Sequence, residues 1–191
     1  MTRVTVTTTA IPGMLVLDLP YFTDDRGWFF ESWRETDYRD LGISWDFAQD
    51  NASMTCKGAL RGLHYQINRP QGHLVTAATG RLFDAAVDLR PGSPVFGHAE
   101  TIEIGSEDGI MRQIFLPPGV AHGYYALEDT VVLYKCTGTW DQEDEGGLLW
   151  SDPDLGIMWP EKDPVIKARD ADFPRLCDIP RARLPQAEVD P

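Results

Sequence analysis

Apolar and polar residues alternate along most of this chain in short runs, each broken off by Gly, Pro, Asn or Asp. Side chains on a strand point to opposite faces in turn, so such alternation predicts strands with one buried face. The clearest run is 81–89, RLFDAAVDL. It sets Phe83, Ala85, Val87 and Leu89 on one face and Leu82, Asp84, Ala86 and Asp88 on the other. Further strands are predicted at 101–104, 113–116 and 131–136. Many short strands separated by turn signals predict a barrel or sandwich rather than a parallel α/β sheet.

One helix interrupts this pattern. Ser32 and Glu35 have the spacing of a capping box, Tyr38 and Leu41 lie three apart, and Gly42 is placed to close the C-terminal end. From Glu161 onward the chain is rich in proline and charge and is expected to wrap the outside as loops and a helical turn. The first 15 residues alternate like a strand but have no obvious partner within the chain, which predicts strand exchange with a second subunit. No repeat, low-complexity tract or long linker divides the sequence, so residues 1–191 are expected to form a single domain with peripheral ends.

Composition narrows the partners. A formal charge of −13 excludes a phosphate-backbone partner, because nucleic-acid binding needs clustered cations. A small anion remains possible wherever a few arginines converge. No apolar run approaches the roughly 20 residues that span a bilayer. The N-terminus lacks the apolar core of a signal peptide, and a cytoplasmic protein is expected. Cys56, Cys136 and Cys177 are odd in number and widely spaced, which argues against a disulfide framework and a structural zinc site.

The chain has four histidines. His64 lies in a strand-like run after Gly58, where a histidine serves as a structural residue or as a functional one. His122 lies in PPGVAHGY, a turn feeding a strand, and such positions often carry function because the scaffold fixes them. His98, in FGHAE, reads as an exposed strand-start residue with no assigned role. A bound metal is one alternative, with imidazole and carboxylate ligands converging in space, but the chain has no HxH pair and its spacing is poor for one.

Several segments in register resemble the dTDP-4-dehydrorhamnose 3,5-epimerase family. They include DRGWFFES at 25–32, DN at 50–51 with LRGLHYQ at 60–66, GRLFDAAVDLR at 80–90 with GSPVFG at 92–97, PGVAHG at 118–123, LYK at 133–135, and DP at 152–153 with GIMWP at 156–160. Their order and spacing hold from about residue 10 to residue 175. The resemblance implies an all-β, cupin-like jelly roll (a double-stranded β-helix), a homodimer, and no metal or organic cofactor. It also implies epimerisation of a 4-keto-6-deoxy sugar on a nucleoside diphosphate, in deoxysugar biosynthesis. The proton acceptor then falls on His64, its partner carboxylate on Asp170, and the proton donor on Tyr134. Substrate contacts fall at or near Arg26, Glu31, Gln49, Asn51, Arg61, His122, Glu145 and Arg169.

Those roles make chemical sense. A proton beside a ketone is many pK units less acidic than an imidazolium, and each unit of mismatch costs about 1.4 kcal/mol. A base alone is insufficient, so the enolate must be stabilised where charge develops. A carboxylate behind the histidine fixes its tautomer and supports the imidazolium. Inversion then needs a proton from the opposite face, which a tyrosine can supply. Arginine suits a diphosphate through its planar fork. Strict alternation, however, sets Arg61 on the face opposite His64, so a bulge is required or Arg61 serves a neighbouring subunit.

Two positions depart from the family pattern. The QxKLV lysine beside the substrate's keto oxygen is His73 here, in QGHLV, a group expected to be a weaker and pH-dependent hydrogen-bond donor. The tyrosine six residues beyond LYK is Trp140, with a stacking face and one N–H but no hydroxyl. These changes leave open epimerisation at C3, C5 or both, and dTDP, GDP or CDP as the carrier. A non-catalytic sugar-nucleotide-binding cupin and a metal-dependent cupin enzyme are the competing classes.

Overall fold

The computed structural model of the protein describes residues 4–186. Its strands are β1 (Thr5–Thr8), β2 (Leu15–Pro20), β3 (Phe22–Asp24), β4 (Gly27–Phe29), β5 (Gln49–Thr55), β6 (Leu60–Gln66), β7 (His73–Thr79), β8 (Arg81–Asp88), β9 (Ala99–Glu107), β10 (Ile110–Leu116), β11 (Val120–Ala126), β12 (Thr130–Cys136) and β13 (Glu145–Gly147). Two short helices join them, α1 (Glu35–Asp40) and α2 (Ala168–Ala171). Among the described residues no helix is long and apolar enough to cross a membrane.

Antiparallel pairing builds one sheet in the order β13-β6-β11-β8-β9-β10-β7-β12-β5, with β2 added to β10 and β1 to β2. β3 and β4 form a separate ribbon. The sheet curls so that its two halves face each other. Leu82 and Ala86 of β8 and Tyr124 of β11 meet Val75 and Ala77 of β7, Ile114 of β10 and Val132 of β12 in one buried cluster. The sharp β7–β8 turn depends on Gly80, whose φ is +70°. A Cβ there would lie 2.5 Å from Thr130 Oγ1 and 2.6 Å from the Asp129 carbonyl, so any larger residue forces β12 away.

The two faces read from 81–89 are both buried, for different reasons. Leu82 and Ala86 point into the barrel. Ala85, Val87 and Leu89 point outward, where Leu155, Trp159, Leu176 and Ile179 of the C-terminal segment cover them. Each large apolar side chain fully buried this way contributes about 1.5–3 kcal/mol. The wrapping expected beyond Glu161 thus supplies part of the cover over the outer face of β8, through Leu176 and Ile179, and the segment before it supplies Leu155 and Trp159. On the other side, Tyr38 of α1 and Ile43 seal Leu17, Leu74, Met111 and Phe115.

Two local expectations need correction. The helix starts at Glu35, with Arg34 as N-cap and no side-chain cap. Ser32 is itself exposed, but its carbonyl accepts from the core side chains Tyr38 Oη at 3.1 Å and Gln113 Nε2 at 3.0 Å. Gly42 does follow the helix, with φ +94° and its N–H on the Arg39 carbonyl. The N-terminal strand has a partner within the chain: Thr5–Thr8 pair with Asp18–Leu15 of β2. The intervening residues turn back tightly enough to make a hairpin, so β1 pairs along one edge with β2.

Candidate active site

Residues 60–66 carry a bulge that decides the site. Across β6 and β11, His64 faces His122 but Arg61 faces Tyr124, so three steps on β6 match two on β11. The extra residue brings Arg61 and His64 to the same side, against simple alternation. Gly62 makes this possible. Its φ is +110°, and a Cβ would sit 2.5 Å from the Gly123 Cα.

Both side chains open on a cavity of about 740 Å³ between the two halves of the barrel. That volume lies within the range of small-molecule sites. Of the residues expected at the site, His64, His73, Tyr134, Asp170, Gln49, Asn51, Arg61, His122, Trp140, Glu145 and Arg169 all line it. One wall holds His64 and His122 on the adjacent β6 and β11; the other holds His73 and Tyr134 on β7 and β12.

His64 is held by charged neighbours. Its Nε2 lies 3.1 Å from Asp170 Oδ1, and its Nδ1 lies 3.7 Å from Glu145 Oε1. Arg169 ties both carboxylates together, at 2.9 Å to Glu145 and 3.1 Å to Asp170. Its Nη2 also lies 3.2 Å from His64 Nε2. Burial alone would raise the Asp170 carboxyl. His64, Arg169 and the Gly62 N–H outweigh it and hold the group down to about 2. Nε2 thus meets the Asp170 carboxylate and the Arg169 guanidinium together, while Nδ1 faces Glu145.

A second pair stands beside the first. His122 Nε2 lies 2.8 Å from Asp84 Oδ2, and Asp84 is 1% exposed. Burial pushes the Asp84 carboxyl up despite His122, and its Oδ1 has no hydrogen-bond partner among the described residues. Across the cavity, Tyr134 is also raised, first by burial and then by Cys136 and Tyr124, so it remains a phenol that can give a proton. Burial, with His122 and His64 adding to it, pushes His73 down to about 3. These surroundings favour the neutral imidazole at His73.

Polar residues line the mouth. The Trp140 N–H donates to Gln49 Oε1, Gln49 Nε2 to Asn51 Oδ1, and Asn51 Nδ2 to Cys136 Sγ. Arg61 is braced by Thr55 Oγ1 at 3.0 Å and the Met54 carbonyl at 3.2 Å. Arg26 and Glu31 are not brought to the cavity. Arg26, whose side chain is 90% exposed, pairs with Asp24 on the β3–β4 ribbon, and Glu31 pairs with Arg34. Sequence reading missed Asp84, although its place between inward-facing Leu82 and Ala86 is a signal, because a buried carboxylate demands a partner. It also missed Lys167, Tyr124 and Cys136, which line the cavity. Among the described residues no three His, Cys, Asp or Glu side chains converge as a metal site.

The family model for dTDP-4-dehydrorhamnose 3,5-epimerase matches residues 8–178. The chain belongs to this family. An epimerase of that name from Methanothermobacter thermautotrophicus is 39% identical, over 90% of this chain and 94% of its own. The Legionella pneumophila 3,5-epimerase, solved with dTDP-4-keto-L-rhamnose, superposes with a TM-score of 0.89 at 37% identity, over 97% of this chain and all of that one. A 3'-monoepimerase from Streptomyces bikiniensis, solved with dTDP-quinovose, gives 0.80 at 30% identity over 88% and 86%. These epimerases establish the cupin-like jelly roll expected for the fold. Both one-centre and two-centre enzymes share it.

Proposed function

We propose that this chain epimerises a dTDP-4-keto-6-deoxyhexose, with His64 as base, Asp170 as its support and Tyr134 as the acid on the opposite wall. The observation that carries this reading is the division of the cavity: a carboxylate-backed imidazole faces a wall bearing a protonated phenol. The His64 imidazole takes the proton beside the ketone. Asp170 supports the imidazolium that forms, and Glu145 gives it a second anionic neighbour. Charge moves to the ketone oxygen as an enolate. Tyr134 returns a proton from the other face, inverting the centre; solvent then takes the proton from His64 and restores that of Tyr134. Arg61, Arg169 and Lys167 supply the cations suited to a diphosphate in an otherwise acidic protein. Trp140, 52% exposed at the rim, offers a face on which a base can stack.

The same reading makes the protein a homodimer. The β3–β4 ribbon exposes Phe22, Trp28 and Phe29 at 57%, 48% and 65%, with Arg26 between them. An apolar ribbon carrying a cation is suited to a second copy's cavity mouth. That supports a substrate contact by Arg26 across the interface rather than within one chain.

Proton NMR of dTDP-4-keto-6-deoxyglucose incubated with the protein in D2O tests the reaction. Deuterium should enter C3, C5 or both, and the pattern distinguishes one-centre from two-centre enzymes. No exchange at either carbon, with the nucleotide sugar demonstrably bound, would sink the proposal.

A further inference from the structure

α2 carries Arg169 and Asp170 on a single turn, and a helix that short does not hold itself. The backbone bonds that close it reach only the carbonyls of Lys167, Ala168 and Arg169. The chain just beyond it is anchored instead. Phe173 comes two residues past the helix, and the carbonyl of the next residue, Pro174, accepts from the Leu149 N–H at 2.9 Å.

The Phe173 ring sits where a side chain is missing. Gly147 of β13 pairs with His64 of β6. A Cβ on Gly147 would lie 2.2 Å from Phe173 Cζ and 2.3 Å from each Cε, so the tip of the ring fills that place. Gly147 is not one of the left-handed glycines, and it therefore answers to space rather than to backbone conformation. From this seat the ring meets two groups of the site. Its centre lies 5.7 Å from that of His64, with the planes at 87°, and 5.7 Å from Arg169 Cζ. Both distances suit the contact in question, edge to face for the imidazole and cation over ring for the guanidinium. Phe173 does not line the cavity, and it belongs to none of the three buried apolar clusters. Its packing serves the residues of the site without facing the substrate.

We infer that Phe173 is a positioning residue for the base, a wedge seated on Gly147 that holds the His64 ring and the turn bearing Arg169 and Asp170 in one fixed arrangement. This rests on His64 being the base of the reaction proposed above. Contacts with Asp170 and Glu145 tether the imidazole at its two nitrogens. A perpendicular ring beside it limits rotation about the Cβ–Cγ bond, which those tethers resist less. Proton removal from carbon needs the base aligned with the C–H bond, so a small misplacement lowers the rate.

The test is a double-mutant cycle, with activity read well below each variant's melting temperature. Phe173→Ala should lower kcat about tenfold. KM should rise by less than about threefold, because the ring makes no substrate contact. Deuterium entry and inversion should fall together, since Tyr134 on the opposite wall is untouched. Phe173→Leu, which restores bulk without a ring, should recover part. Gly147→Ala, which drives the ring from its seat, should cost about as much as Phe173→Ala but add nothing to it. In the ligand-free protein the His64 ring signals, assigned by His64→Asn, should shift in Phe173→Ala while those of His98 stay. An undiminished kcat, a loss carried mainly by KM, losses that multiply in the double variant, or unmoved His64 signals would each overturn the inference. A wild type that exchanges no deuterium would count against the reaction instead, and the His64 signals would still report on the wedge.

Discussion

Two histidine–carboxylate pairs stand side by side on β6 and β11, and their carboxylates are treated in opposite ways. Asp170 receives hydrogen bonds from His64, Arg169 and the Gly62 N–H, and it is held down to about 2. Asp84 has His122 alone, keeps one oxygen unpartnered and is pushed up by burial. A carboxylate that stays ionised beside an imidazole supports the imidazolium that forms when the ring takes a proton. One pushed up by burial, with a single imidazole beside it, chiefly fixes where that ring points. The same two residue types thus acquire separate tasks from the number of donors around the acid.

The largest expected effect follows from removing the first imidazole. His64→Asn should cut both solvent exchange and epimerisation by about 10³-fold, while the equivalent loss at His122 should be much smaller. Replacing the acids comes next. Asp170→Asn removes the anion that fixes Nε2 and should cost about 100-fold in kcat. Asp84→Asn removes one positioning hydrogen bond and should cost about tenfold or less. Equal losses at the two acids would erase the distinction.

The smallest effect is on stability, and its sign differs between the pairs. Asp170 has a lowered folded pKa, so its stabilisation is present above the unfolded value of 3.8 and is lost as pH falls through about 2. Asp84 has a raised one, so its favourable contribution is complete below 3.8 and is lost as pH rises through the folded value. Thermal melts across the acid range should show Asp170→Asn falling behind the wild type as pH rises, and Asp84→Asn gaining on it. Parallel curves for the two variants would contradict the pKa assignments.

Much of this was legible in residue order, and the failures have physical causes. Alternation in 81–89 located a strand and both its faces because each face packs against a different layer. Alternation could not reveal the bulge at Gly62, which depends on the close approach of Gly123 on a strand some 60 residues away. Asp170 lies on a short helix far along the chain, and only family resemblance tied it to His64. The capping-box spacing at Ser32 misled because the core claims that residue's carbonyl. Tertiary contact also bears on His73: the residue was visible as a departure, but the burial and the two imidazoles that lower its pKa were not.

The most direct test of the central claim is Tyr134→Phe assayed in D2O by proton NMR. His64 would still remove and return the proton on its own face, so deuterium should enter the sugar without inversion of the centre. Epimerised product from that variant at a wild-type rate would show that the acid on the opposite wall is not Tyr134.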